Sequence, residues 1–378
     1  MRILLFSDLH LDRSFAWADA EAARTHRQAI RDTLENIVSL AEELRVDALA
    51  SGGDLFEHDR IHPDTANFLR ETFAALAPTP VLLSPGNHDW FGSQSPYETT
   101  SWSENVTIFR TNDFEPIQLA DAFTVWGAAH MVPADTPNLL ERWRASDRAA
   151  TLSGTNVALF HGAELGLLPF LNEEGKRPHA PFTVTDLQTS GFDHAMLGHF
   201  HTPRDHDLYT YPGNPDALAF GEVDAEGCER GAVILEWNAP SSTPERTRHR
   251  VGMSRMHDIR VDLTGSPSMQ QIRERIGGVL EGLTGSVRLI LTGEVSRDVD
   301  LQPRTLRNLF RPLDGVQLSM SGVRIAYDLD AIERDEADTV RGRFLQLVRG
   351  ADLTPEEHQR VVVVGLRALD GRTDLEVP

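Results

Sequence analysis

The 378-residue chain is 40% hydrophobic and 25% charged, the proportions of an ordinary soluble globular protein, and its length favours two domains with ample core. Its 57 acidic against 36 basic residues give a net charge of −21, which argues against simple nucleic-acid binding through Lys and Arg. One cysteine, Cys228, excludes an intrachain disulfide and zinc-ribbon or thiol-redox chemistry; no stretch approaches the roughly 20 apolar residues of a membrane span, and Asp8 comes too early for a signal peptide, so a cytoplasmic protein is expected.

Two considerations soften the charge argument. Carboxylates that hold divalent cations acquire positive charge with them. The acidity is also uneven, because residues 251–378 carry 17 Arg against 20 Asp and Glu, a net of −3, leaving −18 on residues 1–250.

Short apolar runs at 2–7, 46–51, 80–84, 156–160 and 193–197 read as buried strands. Between the first two, Ile30, Leu34, Ile37, Val38, Leu40, Ala41 and Leu44 recur with helical spacing over 20–45. Residues 64–77 repeat the pattern, with Asp64 and Thr65 as candidate N-caps. Strand and helix in alternation imply a largely parallel α/β sheet, to which 121–128 and 231–237 add strands. Residues 238–250 read as a turn or linker. Beyond them His257–Leu263 alternates as a strand, Met269–Leu283 has a helical pattern and Ser286–Thr292 is a strand, a β-α-β unit typical of a small second domain. Ala331–Val348 and Pro355–Leu369 read as a terminal helix pair. The expected organisation is thus 1–240, 251–325 and 331–370.

Each of the five apolar runs ends in residues that ligate hard or borderline metals. Asp8 and His10 stand two apart in a segment read as extended, which would put both side chains on one side. Gly52-Gly53-Asp54 turns a carboxylate sharply outward. Gly86-Asn87-His88-Asp89 offers a neutral oxygen from Asn87, while the adjacent His88 is free to donate a proton. His161 ends the fourth run, and Gly198-His199-Phe200-His201 again sets two ligands two apart. Singly, Asp54 reads as a common Gly-Asp turn and His161 as a core histidine, Asp8 with His10 reads equally as an exposed loop pair, and His199 with His201, which packing does not call for, points to function; their shared placement at strand ends is what points to a metal site. Mixed Asp, His and Asn donors suit two divalent ions sharing a carboxylate. Ions about 3.5–4 Å apart clamp a phosphate and supply the water nucleophile, and His88 can then serve as general acid for the leaving oxygen.

This ordered set, Asp8-Leu9-His10, Gly53-Asp54, Gly86-Asn87-His88-Asp89, His161 and Gly198-His199-Phe200-His201, resembles the calcineurin-like metallophosphoesterase superfamily. The resemblance implies an α/β fold, a four-layer α/β/β/α sandwich. It implies that Asp8, His10, Asp54 and His201 hold one metal, that Asp54, Asn87, His161 and His199 hold the other, and that His88 is catalytic. Asp8-Leu9-His10-Leu11-Asp12 with Ser14-Phe15, Gly53-Asp54-Leu55-Phe56, and Tyr211-Pro212-Gly213-Asn214-Pro215 with Phe220-Gly221-Glu222 look like the Mre11 and SbcD nuclease branch with its YhaO-type relatives. Asn214 replaces the usual Ser there.

The branch resemblance implies two divalent ions, with Mn2+ as the usual one, and a DNA exonuclease or endonuclease acting in DNA repair. It implies a DNA-capping domain after residue 250, and terminal helices that dock on an SMC-like ATPase of the SbcC/Rad50 type, with a homodimer as a further expectation. Asp89, as support for the turn or for His88, and His58, His62 and Asn214, near phosphate or ligands, complete the candidates. Trp90, Phe91, Tyr97 and Trp102 either stack on unpaired bases or pack as core or lid. Arg304, Arg307 and Arg311 would form a basic helical face. The alternative function is a phosphodiesterase or phosphatase acting on a small molecule or protein, which the negative charge favours. A non-catalytic scaffold sits poorly with a complete set of ligands beside His88.

Overall fold

The computed structural model describes residues 1–146, 148–149, 152–171, 178–222, 229–296, 299–310, 313–327 and 329–371; Cys228 and Arg311 lie outside them. The chain divides into two compact units, Met1–Ala16 with Ala20–Ser254, and Trp17–Asp19 with Arg255–Pro378.

In the first unit β1 (Arg2–Phe6), α1 (Ala20–Glu43), β2 (Ala48–Ser51), α2 (Pro63–Ala74), β3 (Val81–Leu83), the one-turn α3 (Pro96–Thr99) and β4 (Val106–Ile108) give the expected alternation. β1 to β4 run parallel. A second sheet holds β5 (Glu115–Ala120), β6 (Phe123–Gly127), β7 (Thr155–His161), β8 (His194–Gly198), β9 (Arg204–His206) and β10 (Tyr209–Tyr211), in the order β5-β6-β7-β8-β10-β9. The chain then returns to the first sheet as β11 (Ala232–Glu236) and β12 (Glu245–His249), giving the order β12-β11-β1-β2-β3-β4.

Alternation along the strands decides the layers. Ile3, Leu5, Ala48, Ala50 and Leu82 of the first sheet pack in one buried cluster with Val125, Val157, Leu159 and Met196 of the second, so the sheets lie face to face. The inner face of the first sheet is thereby filled. The crossover helices α1 and α2 are left to its outer face, with the buried stripe Ile30, Leu34, Ile37, Val38 and Ala41 on α1. Ala158, Phe160, Ala195 and Leu197 on the outer face of the second sheet pack against Leu139, Leu140 and Trp143 of α4 (Leu139–Arg144) and Leu187 of α5 (Val184–Gln188). Each such large apolar side chain contributes about 1.5–3 kcal/mol on burial. The α/β/β/α sandwich is as expected.

Several local expectations fail for physical reasons. Residues 245–249, read as linker, form β12, an edge strand paired antiparallel with β11; its alternation of exposed Glu245 and Thr247 with half-buried Arg246 and Arg248 carries no apolar residue, which hides the strand signal. α2 has neither Asp64 nor Thr65 as N-cap: His62 occupies that position and Pro63 stands at the first turn, where a missing N–H costs nothing.

The second unit contains a parallel three-stranded sheet, β13 (Met256–Asp262), β14 (Ser286–Ser296) and β15 (Gly315–Ala326), in the order β13-β14-β15. β15 was not anticipated, since its alternation lies mostly on half-exposed positions. α6 (Met269–Leu280) packs Ile272, Ile276 and Leu280 with Leu289 and Leu291. The Arg304–Arg307 stretch is no continuous helical face: α7 (Pro303–Leu306) ends after four residues and a 3-10 turn follows. The terminal pair is three helices, because Ala331–Val348 breaks into α8 (Leu329–Asp335) and α9 (Val340–Arg349) before α10 (Pro355–Leu369). Thr339 caps α9 by accepting from Gly342 N–H, a start signal inside the apparent periodicity. Among the described residues no helix is long and apolar enough to cross a membrane.

Candidate metal centre

The ligand candidates converge. β1, β2 and β3 of one sheet and β7 and β8 of the other deliver their carboxyl-terminal ends to one place, where open α/β sheets bind ligands. Asp8 and His10 follow β1, Asp54 follows β2, Asn87 and His88 follow β3, His161 ends β7, and His199 and His201 follow β8.

The backbone is not extended at the paired ligands, contrary to the sequence reading. Asp8 and His10 have φ of 55° and 54°, Asp54 has 53° and His199 has 118°. Left-handed backbone at non-glycine residues costs about 1–3 kcal/mol each and clusters at functional sites. Gly53, at φ 99°, shows how tight the place is: a Cβ there would lie 2.7 Å from Ser84 O and 2.9 Å from His161 Nδ1.

Hydrogen bonds set the direction of each imidazole. His10 Nδ1 lies 2.9 Å from Glu57 Oε1, His201 Nδ1 lies 3.0 Å from Glu222 Oε1, and His161 Nδ1 lies 2.9 Å from Gly52 O. Each outer nitrogen therefore donates, and each Nε2 is turned inward, where it offers a lone pair when the ring is neutral. Those lone pairs face other acceptors. His10 Nε2 is 3.2 Å from His201 Nε2, and His161 Nε2 is 3.1 Å from Asn87 Oδ1. Asp54 Oδ2 stands 3.3 Å from His161 Nε2 and 3.7 Å from His10 Nε2, between the two groups. His199 Nδ1 is 3.3 Å from His161 Nε2. Asp8 accepts from His199 N–H with both oxygens at 3.1 Å. Burial opposes a charge on His161, but Asp54 overrides it and raises that imidazole to about 9, so the cluster attracts positive charge; with the imidazoles neutral, the converging oxygens and nitrogens fit two divalent ions sharing Asp54.

A cavity of about 640 Å³ opens over these atoms, lined by Arg13, His88, His179 and the ligand candidates His10, Asp54, Asn87, His199 and His201, with Asp8 and His161 buried beneath. His88 is exposed. Its N–H donates to Asp54 Oδ1 at 2.8 Å and its Nδ1 lies 2.9 Å from Glu57 Oε2, so Glu57 bridges His10 and His88. The bond to Glu57 raises the His88 imidazole to about 9. Burial pushes the Glu57 carboxyl up, but the bonds from His10 and His88 outweigh it and leave it below the usual range.

The supporting candidates separate. Asp89 does not orient His88. It is buried and accepts from the N–H groups of Asp54 (3.1 Å), Leu55 (2.7 Å) and Gly86 (2.6 Å) and from Tyr97 Oη (2.6 Å), pinning the second and third motif loops together. Asn214 is buried away from the cavity; its Nδ2 donates to Glu222 Oε2 at 2.7 Å, behind His201. His58 stacks on Trp90 with ring centroids 3.9 Å apart and does not line the cavity. Tyr97 and Trp102 pack together, and Phe91 borders the inter-sheet core. Trp90, held by His58, is likewise occupied in packing.

Sequence reasoning placed Glu222 in a motif without giving it a role, and missed Glu57, His130 and His179. His130 Nε2 lies 2.9 Å from His161 O, and burial, then the neighbouring His161, press its imidazole down to about 3. Glu57 had a usable signal, three residues after Asp54 at a strand end; the others come from distant loops.

A two-sheet α/β sandwich with buried carboxylates and imidazoles gathered at its strand ends is the architecture of a metal-dependent phosphoester hydrolase. The family model described as calcineurin-like phosphoesterase matches residues 1–203, and the chain belongs to that family, whose members use divalent metal ions. The chain is 28% identical over 234 residues to the uncharacterized metallophosphoesterase YhaO of Bacillus subtilis (strain 168), covering 58% of this chain and 54% of that one. It is 24% identical over 300 residues to the DNA double-strand break repair protein Mre11 of Methanopyrus kandleri, covering 73% of this chain and 62% of that one. In each case the matched part is less than two thirds of the relative's length.

Proposed function

We propose that the chain hydrolyses phosphodiester bonds in DNA, as an exonuclease or endonuclease in DNA repair, within the cytoplasm. The observation that carries the proposal is the pair of acceptor clusters sharing Asp54 beside the exposed His88. Asp8, His10, Asp54 and His201 would hold one ion, and Asp54, Asn87, His161 and His199 the other. Two such ions, manganese by preference, would supply Lewis acidity toward a phosphoryl oxygen and a water when bound. His88 is the catalytic side chain. With Nδ1 tied to Glu57 and its ring lining the cavity, it is placed to give a proton to the leaving oxygen. Glu57 keeps His10 and His88 oriented, and Glu222 keeps His201 oriented, without touching substrate.

The similarity to an Mre11 protein supports DNA as substrate and an SMC-like ATPase of the SbcC/Rad50 type as partner. Residues 251–325 are assigned as the DNA-capping part. The helices over 331–370 are assigned to partner docking, a role that suits the 77% exposed Leu347 and 69% exposed Val340 on α9. The net charge of −18 on residues 1–250 favours a second reading, a phosphodiesterase or phosphatase acting on a small molecule or protein. Manganese-dependent assays on linear DNA and on bis-p-nitrophenyl phosphate separate the two. Cleavage of the dye ester with no cleavage of any DNA, with or without an ATPase partner, would sink the nuclease reading.

A further inference from the structure

A second concavity of about 390 Å³ lies in the first unit, apart from the ligand cavity, against one face of α1. Arg24, Arg27 and Arg31 line it at helical spacings of three and four, with Gln28 beside them and His62 from the start of α2 opposite. Two carboxylates, Asp12 and Asp64, also border it.

The three guanidiniums differ in their commitments. Arg31 Nη2 lies 2.7 Å from Thr65 Oγ1 and 2.8 Å from Asp64 Oδ2. Asp12 is engaged as well, accepting from His62 N–H at 3.0 Å. Arg24 and Arg27 have no hydrogen-bond or ion-pair partner among the described residues, and Arg27 is half-buried. A guanidinium carries five donors, and a partly desolvated one without an acceptor is unfavourable unless an anion completes it. In a stretch of sequence carrying −18, the exposed Arg24 and the half-buried Arg27 thus stand side by side at the groove with no acceptor among the described residues.

The groove's walls lead to the candidate metal centre. Asp12 ends the segment that presents Asp8 and His10, and the next residue, Arg13, lines the ligand cavity. His62 ends the segment that begins at Asp54 and Glu57. A chain of phosphates with one member at the ligand cluster would pass Arg13 and reach the groove with another.

We propose that the Arg24–Arg27 groove binds a backbone phosphate of a polynucleotide substrate, flanking the phosphate at the ligand cluster. The inference rests on the nucleic-acid reading above and adds the direction in which the substrate strand leaves the cavity. Planar forks of N–H donors match phosphate oxygens in pairs.

The test uses the manganese-loaded full chain cutting linear DNA over a salt series. Each phosphate contact contributes about 0.7 (single strand) to 0.9 (duplex) to the slope of log affinity against log salt. Arg24→Gln and Arg27→Gln should each lower the slope of log kcat/KM by about that amount and the pair by about twice as much. The loss should fall in KM, on the order of tenfold for the pair at moderate salt. Lys at both positions should restore the slope, which a merely structural role for Arg would not predict. If the double Gln variant folds poorly, the single variants carry the comparison. A wild-type slope and KM in the Gln variants overturn the groove and leave the nuclease reading standing. A wild-type chain that cuts the dye ester and no DNA overturns both.

Discussion

Replacing Glu57 by Gln tests how the candidate site is held together. Glu57 accepts from two imidazoles at once, His10 Nδ1 and His88 Nδ1, both at 2.9 Å. Gln has nearly the same volume but a single acceptor oxygen, so its amide NH2 must face one of the two N–H donors. The His10 side chain is 1% exposed and that of His88 is 43% exposed. A buried donor left unsatisfied costs about 1–3 kcal/mol, whereas an exposed one can turn to water. The Gln oxygen should therefore stay with His10, and His88 should lose its anchor. A charge-assisted hydrogen bond contributes about 1.5–3 kcal/mol, and partial replacement by water at the exposed His88 brings the net loss to roughly 1–2 kcal/mol. At 1.36 kcal/mol per factor of ten, kcat on linear DNA, whose alkoxide leaving group needs the proton from His88, should drop roughly 5- to 30-fold. Manganese affinity, followed by calorimetric titration, should fall less, because His10 keeps its partner. Turnover within threefold of wild type would refute the bridging role. A collapse of manganese affinity with kcat per loaded site unchanged would show that Glu57 serves His10 alone.

Asp89→Asn removes an acceptor from four converging donors and should destabilise the chain by roughly 2–4 kcal/mol, with Tyr97→Phe costing about 1 kcal/mol, both read from urea unfolding; equal stability would mean that the loops are held elsewhere. Manganese added to metal-free chain should raise the melting temperature, by the equivalent of about 2.7 kcal/mol at a hundredfold excess over Kd, and His161→Ala should abolish most of that rise; an unshifted melting curve in the wild type would count against the metal centre. His194 is buried, and desolvation, then the nearby Arg246, push its imidazole down to about 3. A lowered folded pKa means stability that is present above about 6.5 and is lost as pH falls, because the unfolded chain takes a proton that the folded one refuses. Between pH 6.5 and 5 the loss attributable to His194 is about 2 kcal/mol, and His194→Gln should flatten the acid limb by that amount in urea unfolding at the two pH values. An identical slope in the variant would refute the assignment.

The strand ends and their ligands were legible because each strand is buried on both sides. A core strand in a parallel sheet is a continuous apolar run, so a polar residue where it stops is conspicuous; Phe6 before Asp8, Leu83 before Asn87 and Leu197 before His199 all show it. Composition set bounds on the chain, and helical spacing gave α1 and α6 almost to their ends. Signals failed where one face meets solvent, as in β12 and β15, and where a cap interrupts a continuous periodicity, as at Thr339. The extended geometry assumed for Asp8 and His10 failed too, since spacing by two cannot reveal a left-handed backbone that depends on the surrounding loops.

What sequence determined by itself was therefore the kind of atoms at the site and their order along the chain. Tertiary structure alone decided which nitrogen of each histidine faces inward, because that depends on Glu57, Glu222 and the carbonyl of Gly52, which stand 47, 21 and 109 positions from His10, His201 and His161. It also decided that Asp89 ties loops together while Glu57 holds His88, a division of labour invisible in Gly-Asn-His-Asp. A linear pattern specifies local chemistry; only folding brings together the partners that fix a proton's position.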